Sequence, residues 1–403
     1  MQTQKLYIIF CAMLCTGVTF ATPKISIITS VYDGDCFIEG FLQDITQQTI
    51  FDQCELILIN ANSPGNEEPI IKKYMNMHPN IIYAKLDSDP GLYATWNMAI
   101  KVAQGIYITN ANLDDRLAHD CYEVHAAHLD EYTDVDLVYS DKYITKQPNE
   151  TFDKHTGSKW APSPQATREN MNECWPCANP MWRKSLHDRF GLFDEEYRCS
   201  GDWEMWLRAL QGGAQLKKVP GYYLLYYHNP KGLSTGWCYR SDNKRDQKKI
   251  AEDKKIIERY GYMWGAPSYR TYYTMARALE HSESGNPQIW QRALVYYLKA
   301  YSINPQRAEP LIRIAQYYLE KGEPSLAYLF ASQAMNIPCP AIEAGLVEHE
   351  LYDYARYDIM GQAAWYVKAY DEGEQAVRMA LEVHPEYEHL QRNIIFYLGR
   401  EKS

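Results

Sequence analysis

Two neighbouring carboxylates carry the most distinctive chemistry in this sequence. They stand in Asn112-Leu-Asp114-Asp115, directly after an apolar run at 105–109 that is typical of a β-strand. Adjacent carboxylates repel each other unless a cation, or a ligand that carries one, lies between them. Their hard oxygen atoms suit Mg²⁺ or Mn²⁺ bridging a diphosphate. The alternative is a solvated Asp-Asp turn or the N-cap of a helix.

A third carboxylate stands where a helix is predicted to begin. The segment reads Ser200-Gly-Asp-Trp-Glu-Met-Trp-Leu-Arg208, with Trp206 and Leu207 on its buried side. On local sequence alone Asp202 is by default an N-cap, and Glu204 is first-turn charge that matches the helix dipole. A chemical role for Asp202 therefore depends on what the fold brings next to it.

Alternating strands and helices are predicted to position these side chains. Apolar and β-branched runs predict strands at 25–31, 54–59, 80–85 and 105–109, with helices at 37–46, 67–77 and 93–103. This alternation predicts an α/β fold with a mostly parallel, doubly wound sheet and helices on both faces. Ligands of such sheets bind beyond the carboxyl ends of the strands, so the polar loops there are expected to carry the chemistry.

A second, all-helical part is predicted beyond a boundary near 261–268. Three helix ends share one pattern: Ala300-x-x-Ile-Asn-Pro305, Ala334-x-x-Ile-Pro338 and Ala380-x-x-Val-His-Pro385. The first two are 34 residues apart, counted from Ala300 to Ala334, which is the length of a tetratricopeptide-type repeat. The third lies 46 residues further on, so an insertion interrupts the array. An irregular helical domain without true repeats is the alternative.

Length and composition set the class of protein. A chain of 403 residues is long enough for two or three domains, and 46% hydrophobic with 23% charged residues is typical of a folded globular chain. The formal net charge of -10 repels phosphate backbones over most of the surface. Nucleic acid is therefore not an expected partner.

The N-terminus and the cysteines bear on the compartment. An apolar run at 6–22 follows Lys5 and precedes Pro23, which predicts a signal peptide over 1–22 or, if it is not cleaved, a membrane anchor. An exported or membrane-associated protein is thus expected, with a cytoplasmic one less favoured. Cys174-Trp-Pro-Cys177 has the spacing of a redox motif but is read as a structural pair, because no further ligands complete a zinc set. A disulfide there would fit export, and free thiols would fit a reducing compartment.

Taken together, the segments over 24–260 resemble the family 2 glycosyltransferases, enzymes of the GT-A fold that move a sugar from a nucleotide diphosphate to an acceptor. Each piece is weak alone, but six stand in family order. They are 25–32, 58–63, Asp89-Pro-Gly-Leu-Tyr93 with 96–99, 105–108 with 112–115, 182–187 with 191–195, and 201–208.

The resemblance implies where the nucleoside would bind. Thr29, Ser30 and Tyr32 would border the base and the ribose. Asn60 stands where the family often has an aspartate that reads the base, and an amide can still pair with a base edge through its donor and its acceptor. This departure leaves the identity of the nucleotide open, although a UDP-sugar is the expected donor.

The resemblance also implies how the diphosphate would be held. Asp89 would bind on the nucleoside side, and Gly91 would let the backbone approach closely. The family's metal-binding DxD motif appears as Asn112-Leu-Asp114 followed by Asp115, with an amide in place of the first carboxylate. Asn112 is therefore expected beside the donor, and Mn²⁺ or Mg²⁺ is assigned to Asp114 and Asp115.

The remaining implied roles concern the reaction itself. Asp202 matches the aspartate of the family's acidic pair and would be the general base that takes the proton of an acceptor hydroxyl. One base without a covalent nucleophile implies inversion at the anomeric carbon. His228 could add a third metal ligand or a phosphate donor, although a lone histidine among tyrosines is more often structural.

These expectations give a signal peptide or anchor at 1–22, a GT-A domain at 23–264 and a tetratricopeptide-like domain at 265–403. The acceptor is expected to be a glycan, a lipid-linked molecule or a protein, and the helical repeats are expected to bind a protein partner. One alternative is an inactive GT-A scaffold that serves as a binding protein, which the two amide substitutions favour. Another places the main function in the helical repeats.

Overall fold

The structure is a computed structural model that describes residues 22–233, 235, 244–282, 287–341 and 347–400. By compactness the chain divides into two units. One comprises the chain up to Asn229 together with Met263–Gly265, and the other comprises Pro230–Tyr262 and the chain from Ala266 onward. The domain limits predicted at 23–264 and 265–403 stay a prediction.

The first unit begins with alternating strands and helices, as the sequence predicts. The strands are β1 (Ile25–Val31), β2 (Cys54–Asn60), β3 (Ile81–Lys85) and β4 (Tyr107–Asn110), joined by helices α1 (Ile38–Thr46), α2 (Glu68–Met77) and α3 (Leu92–Val102). β1 pairs in parallel with both β2 and β4, and β2 pairs in parallel with β3. The carboxyl ends of these strands therefore lie at one edge of the sheet.

The rest of this unit makes the sheet mixed. Its elements are β5 (Arg116–Leu117), α4 (Cys121–Glu131), β6 (Leu137–Thr145), β7 (Ser158–Lys159), β8 (Met181–Arg183), α5 (Leu186–Phe190), α6 (Gly201–Gln211) and β9 (Leu216–Tyr227). In the described residues the strand order is β3-β2-β1-β4-β8-β6-β9-β5, with β7 on β6. β8 is antiparallel to both β4 and β6, whereas β6 and β9 are parallel. The predicted α/β class is confirmed.

The parallel strands are the centre of the core. Every residue of β2 is buried, which explains its nearly continuous apolar sequence. The buried Glu55 carboxylate accepts hydrogen bonds from Ser26 Oγ at 2.6 Å and from the backbone N–H of Gly105 at 3.3 Å, so its charge does not lack partners. Helix α1 buries Ile38, Phe41, Leu42 and Ile45, which recur at helical spacing. Each such side chain contributes about 2 kcal/mol when fully buried.

The second unit is all-helical in its described part. Its α-helices are α7 (Lys244–Tyr260), α8 (Tyr269–Ser282), α9 (Pro287–Ile303), α10 (Glu309–Glu320), α11 (Pro324–Met335), α12 (Arg356–Tyr366), α13 (Tyr370–Val383) and α14 (Glu388–Leu398), and a π-helical turn at Leu351–Ala355 precedes α12. Alanines at their contacts, including Ala300, Ala334 and Ala380, are fully buried, which lets the helices pack closely. The helical character is confirmed, and the tetratricopeptide type of repeat stays a prediction.

The expected location requires correction. Over the described ranges, no helix combines the length and the apolar character needed to cross a membrane. The prediction of an exported or membrane-associated chain is wrong by this finding. The segment that suggested it, 1–22, lies outside the described residues except for Thr22.

Candidate active site

The carboxylates Asp114 and Asp115 lie in the turn between β4 and β5, next to the end of β9. Asp115 is buried, and it accepts hydrogen bonds from the backbone N–H of Tyr227 and from Asn112 Nδ2, each at 3.0 Å. Asp114 accepts from Asn229 Nδ2 at 2.9 Å. The structure therefore brings together two carboxylates and two side-chain amides, of which Asn229 is not among the predicted site residues.

These two carboxyl groups are held in an environment that opposes a double negative charge. Burial and the neighbouring Asp114 raise the pKa of Asp115 to about 8, and burial raises the pKa of Asp114. A divalent cation between the two groups would remove that penalty, because it favours the charged form of both. The two carboxylates thus have the chemistry expected of ligands to a hard cation.

A buried arginine fixes the backbone of this turn. Arg116 Nη1 donates to the carbonyl oxygens of Leu113 at 2.9 Å and of Asp115 at 2.6 Å, and Nη2 donates to Asn149 Oδ1 at 3.1 Å. Burial lowers the pKa of Arg116 despite the nearby Asp44 and Asp115. Arg116 is therefore part of the framework of the site, a role that the sequence analysis does not assign.

His228 ties the ends of two strands together. It is buried, and its backbone N–H donates to the carbonyl oxygen of Thr145 at 2.8 Å. Among the described residues, no three His, Cys, Asp or Glu side chains converge into a group that could hold a metal. The set Asp114, Asp115 and His228 is thus not assembled as a three-ligand site, and a ligand role for His228 stays a prediction.

Asp202 lies in the first turn of α6, where Ser200 occupies the N-cap position. Its Oδ1 accepts hydrogen bonds from Tyr93 Oη at 3.1 Å and from the backbone N–H of Trp203 at 2.9 Å. The Sγ of Cys174 lies 3.8 Å from its Oδ2. Asp202 is therefore not the N-cap of this helix, and its half-buried carboxylate is held by a side chain from α3.

Glu204, two residues further on, has a different environment. Its side chain is only 1% exposed and forms an ion pair with Arg208, whose Nη2 lies 2.8 Å from Oε2. Arg208 also donates to the carbonyl oxygens of Phe190 and Leu192. Glu204 is thus a buried structural charge that fixes α6, and of the two acidic residues Asp202 is the more exposed.

The predicted nucleoside residues lie at the carboxyl ends of β1 and β2. Thr29 is buried on the same face of β1 as the core residue Ile27, whereas Ser30 is half-buried and Tyr32 is 48% exposed. Asn60 lies directly opposite Val31 in the parallel register. The strand ends thus bring Ser30, Tyr32 and Asn60 to one edge, while the Thr29 side chain faces the core.

Asn60 and Gly91 have protein partners in this structure. Asn60 Oδ1 accepts from the backbone N–H of Ser63 at 2.8 Å. Asp89 Oδ1 accepts from the backbone N–H of Gly91 at 2.7 Å. Gly91 has φ +95°, and a Cβ atom there would meet the guanidinium of Arg198 at 1.6 Å. The Arg198 guanidinium thus occupies the space that a side chain at Gly91 would need, and the close approach of the Gly91 backbone to a donor stays a prediction.

A lysine connects the acidic turn to the loop before β8. Lys142 Nζ lies 2.6 Å from Cys177 Sγ. Burial opposes its charged form, but Cys177, Cys174 and Asp115 outweigh burial and raise the pKa of Lys142. Cys174 and Cys177 are both thiols, so these two described residues do not form the disulfide considered for the pair. Lys142 is a further cation of the site that the sequence analysis does not identify.

Comparison with known proteins identifies the domain. Residues 26–190 match the model of glycosyl transferase family 2. The chain carries a family 2 glycosyltransferase domain. The chain is 33% identical over 116 residues to the minor teichoic acid biosynthesis protein GgaB of Bacillus subtilis, a match covering 28% of this chain and 13% of GgaB. It is 24% identical over 220 residues to the uncharacterized glycosyltransferase EpsJ of Bacillus subtilis, covering 53% of this chain and 63% of EpsJ.

Both matches cover less than two thirds of the relative's own length. Among solved structures, S. aureus TarS 1-349 in complex with UDP-GlcNAc aligns with a TM-score of 0.47 and 16% identity over 86% of this chain and 92% of that one. The family 2 assignment applies to residues 26–190, which match the family model.

Proposed function

We propose that the glycosyltransferase domain transfers a sugar from a nucleotide diphosphate sugar to an acceptor hydroxyl with inversion at the anomeric carbon. The observation that carries this proposal is the difference in surroundings among three carboxylates. Asp114 and Asp115 lie side by side with raised pKa values, and Asp202 is fixed separately at the start of α6. The pair Asp114 and Asp115 suits the binding of a divalent cation, and Asp202 suits the acceptance of a proton.

The donor is proposed to bind along the carboxyl edge of β1 and β2, with a UDP-sugar as the expected donor. Tyr32 offers an exposed ring to a base, and Ser30 is half-buried beside it. The Asn60 amide oxygen accepts from the Ser63 N–H, so its contribution to base recognition is to fix the turn that borders the base. Asp89 is proposed to act on the same side, where it holds the turn that begins α3.

Mn²⁺ or Mg²⁺ is proposed to bind Asp114 and Asp115. When bound, such an ion would stabilise the negative charge on the departing diphosphate. Asn112 and Asn229 donate to the two carboxylates and orient them. Lys142 supplies a permanent positive charge within electrostatic reach of Asp115.

Asp202 is proposed to be the general base. Its carboxylate takes the proton of the acceptor hydroxyl as that oxygen attacks the anomeric carbon, which contributes about 10²–10⁴-fold to such reactions. Attack from the face opposite the leaving group gives inversion. The acceptor is proposed to be a glycan, a lipid-linked molecule or a protein, and the helical unit is proposed to bind a protein partner.

The test measures nucleotide diphosphate affinity with and without Mn²⁺ in the parent chain, in Asp115→Asn and in Asp134→Asn. Asp134 is an exposed carboxylate in a loop and serves as the matched control. We expect Mn²⁺ to tighten binding by at least about tenfold in the parent and in the control, but not in Asp115→Asn. A parent chain whose affinity does not respond to Mn²⁺ contradicts the metal assignment.

A second measurement separates binding from transfer. Asp202→Asn should bind the donor as the parent does, while nucleotide release in a screen of nucleotide sugars and acceptors falls by about 10²-fold or more. Parent-like turnover in Asp202→Asn contradicts the assignment of the base.

A further inference from the structure

Tyr93 is a rigid side chain with its hydroxyl group at the Asp202 carboxylate. It lies in the first turn of α3, and the residue is only 2% exposed. Its ring stacks on Phe193 at 5.7 Å and meets Trp96 edge-on at 5.5 Å between centroids. These aromatic contacts fix the ring on both sides, so the direction of the hydroxyl is set by packing.

The contact between Tyr93 and α6 depends on a glycine. At Gly201 an added Cβ atom would lie 2.6 Å from Cε2 of the Tyr93 ring, which is closer than side-chain carbons approach each other. The absence of that atom lets the first turn of α6 lie directly against the ring. Tyr93 Oη can therefore reach Asp202 Oδ1 at 3.1 Å.

The Asp202 carboxylate has contacts at both of its oxygens. Oδ1 accepts from Tyr93 Oη at 3.1 Å and from the Trp203 N–H at 2.9 Å, whereas the contact between Oδ2 and Cys174 Sγ is 3.8 Å. Burial and the charge of Asp202 hold the pKa of Tyr93 well above its usual value, so the phenol keeps its proton and remains a donor. Two donors, one from α3 and one from the next residue of α6, thus restrain Oδ1 of the carboxylate.

We propose that Tyr93 is a positioning residue that holds Oδ1 of Asp202 and thereby sets the direction in which the carboxylate meets the acceptor hydroxyl. This inference rests on the proposed function of Asp202. In the reaction, the acceptor O–H proton goes to the Asp202 carboxylate and the acceptor oxygen bonds to the anomeric carbon. The bond from that carbon to the diphosphate breaks, and its electron pair leaves with the diphosphate. Tyr93 exchanges no proton and acts only through the orientation and charge of Asp202.

The test is Tyr93→Phe, which removes one hydroxyl and keeps the ring that packs on Phe193. We expect kcat to fall by about tenfold while KM for the donor stays within about twofold, because Tyr93 orients the base and not the donor. The acid limb of the pH profile should move upward by about one pH unit, because a carboxylate that loses a hydrogen-bond donor is protonated more easily.

The titratable groups that face Asp202 include Tyr93 from α3 and Cys174 from the loop before β8, and Cys199 lies near Tyr93. Cys199→Ala should leave the acid limb where it is in the parent, and Cys174→Ala should move it less than Tyr93→Phe does, because a thiol at 3.8 Å is a weak donor. A matched control is Tyr107→Phe, which removes a partly buried hydroxyl that donates to Asp130 Oδ1 at 2.6 Å and should leave kcat and the pH profile unchanged.

The outcomes separate this inference from the proposed function. If Asp202→Asn is inactive and Tyr93→Phe keeps the parent's kcat and acid limb, Tyr93 does not position the base. If Asp202→Asn turns over like the parent, the base is assigned to the wrong residue, whatever Tyr93→Phe does. Parent-like donor affinity in Tyr93→Phe establishes that the variant is folded, and a loss of that affinity points to a purely structural role for the hydroxyl.

Discussion

Loss of charge should lower the stability of the protein at Glu204 and its turnover at Asp202, the two acidic residues at the start of α6. Glu204→Gln leaves Arg208 with its positive charge and without the carboxylate to which it donates at 2.8–3.2 Å. Breaking a buried ion pair from one side costs about 3–5 kcal/mol. The lower end, about 3 kcal/mol, applies here because Arg208 is 21% exposed and keeps the carbonyl oxygens of Phe190 and Leu192 as acceptors.

The assay is urea unfolding followed by circular dichroism, together with turnover under conditions where the variant is folded. Glu204→Gln should lose about 3 kcal/mol of stability and keep most of its turnover, whereas Asp202→Asn should keep its stability and lose turnover. Glu258→Gln is the control, since its partner Lys254 lies 3.7 Å away on an exposed helix face and such pairs contribute less than about 0.5 kcal/mol. A stable but inactive Glu204→Gln would refute the structural role of Glu204.

Two further predictions concern stability against pH. Burial raises the pKa of Asp44, which accepts from the Leu117 N–H, to about 7. The folded state then binds the proton more tightly than the unfolded state, so between pH 3.8 and 7 the parent should lose up to about 4 kcal/mol relative to Asp44→Asn, with no further change above pH 7. Urea midpoints from pH 4 to 8 measure this, and a constant difference contradicts it. In the helical unit, Glu348 accepts from Arg277 at 2.8 and 2.9 Å and from Arg313, so Glu348→Gln should cost about 3–5 kcal/mol at pH 7. Burial raises the pKa of Glu348, but the two arginines outweigh it and lower the pKa to about 2, so the parent's advantage is complete above pH 4.5 and declines toward pH 2. An advantage that persists unchanged at pH 2 contradicts this account.

The parallel half of the fold is predictable because its strands are long apolar runs. The prediction of 25–31 matches β1, and the prediction of 54–59 misses only the last residue of β2. The antiparallel insertion of β8 is not predictable in the same way. Three residues carry no periodicity, and their pairing with β4 is set by contacts more than 70 residues distant in sequence, such as Ile108 opposite Trp182.

The site is predictable to the extent that its chemistry is local. Asp114 and Asp115 stand out because adjacent carboxylates after a strand are unusual in themselves. Asn229 and Tyr93 contact the acidic residues across separations of 115 and 109 residues, and an asparagine or a tyrosine has too many ordinary roles to be noticed alone. The role of Arg116 is not predictable for a related reason, because the sequence alone does not distinguish a buried arginine from an exposed one.

The two amides that depart from the family pattern have different surroundings, and Asn112 has a contact that a carboxylate could not make. Asn112 Nδ2 donates to Asp115 Oδ2, and an aspartate there would instead add a third negative charge beside two carboxyl groups whose pKa values are already raised. Asn60 Oδ1 accepts from the Ser63 N–H, a contact that an aspartate could also make, so this contact does not explain the amide at position 60. The amide at Asn112 replaces a charge with a neutral donor to Asp115. It reduces the electrostatic cost of keeping Asp114 and Asp115 together, so the departure from the family's metal motif is compatible with a working site.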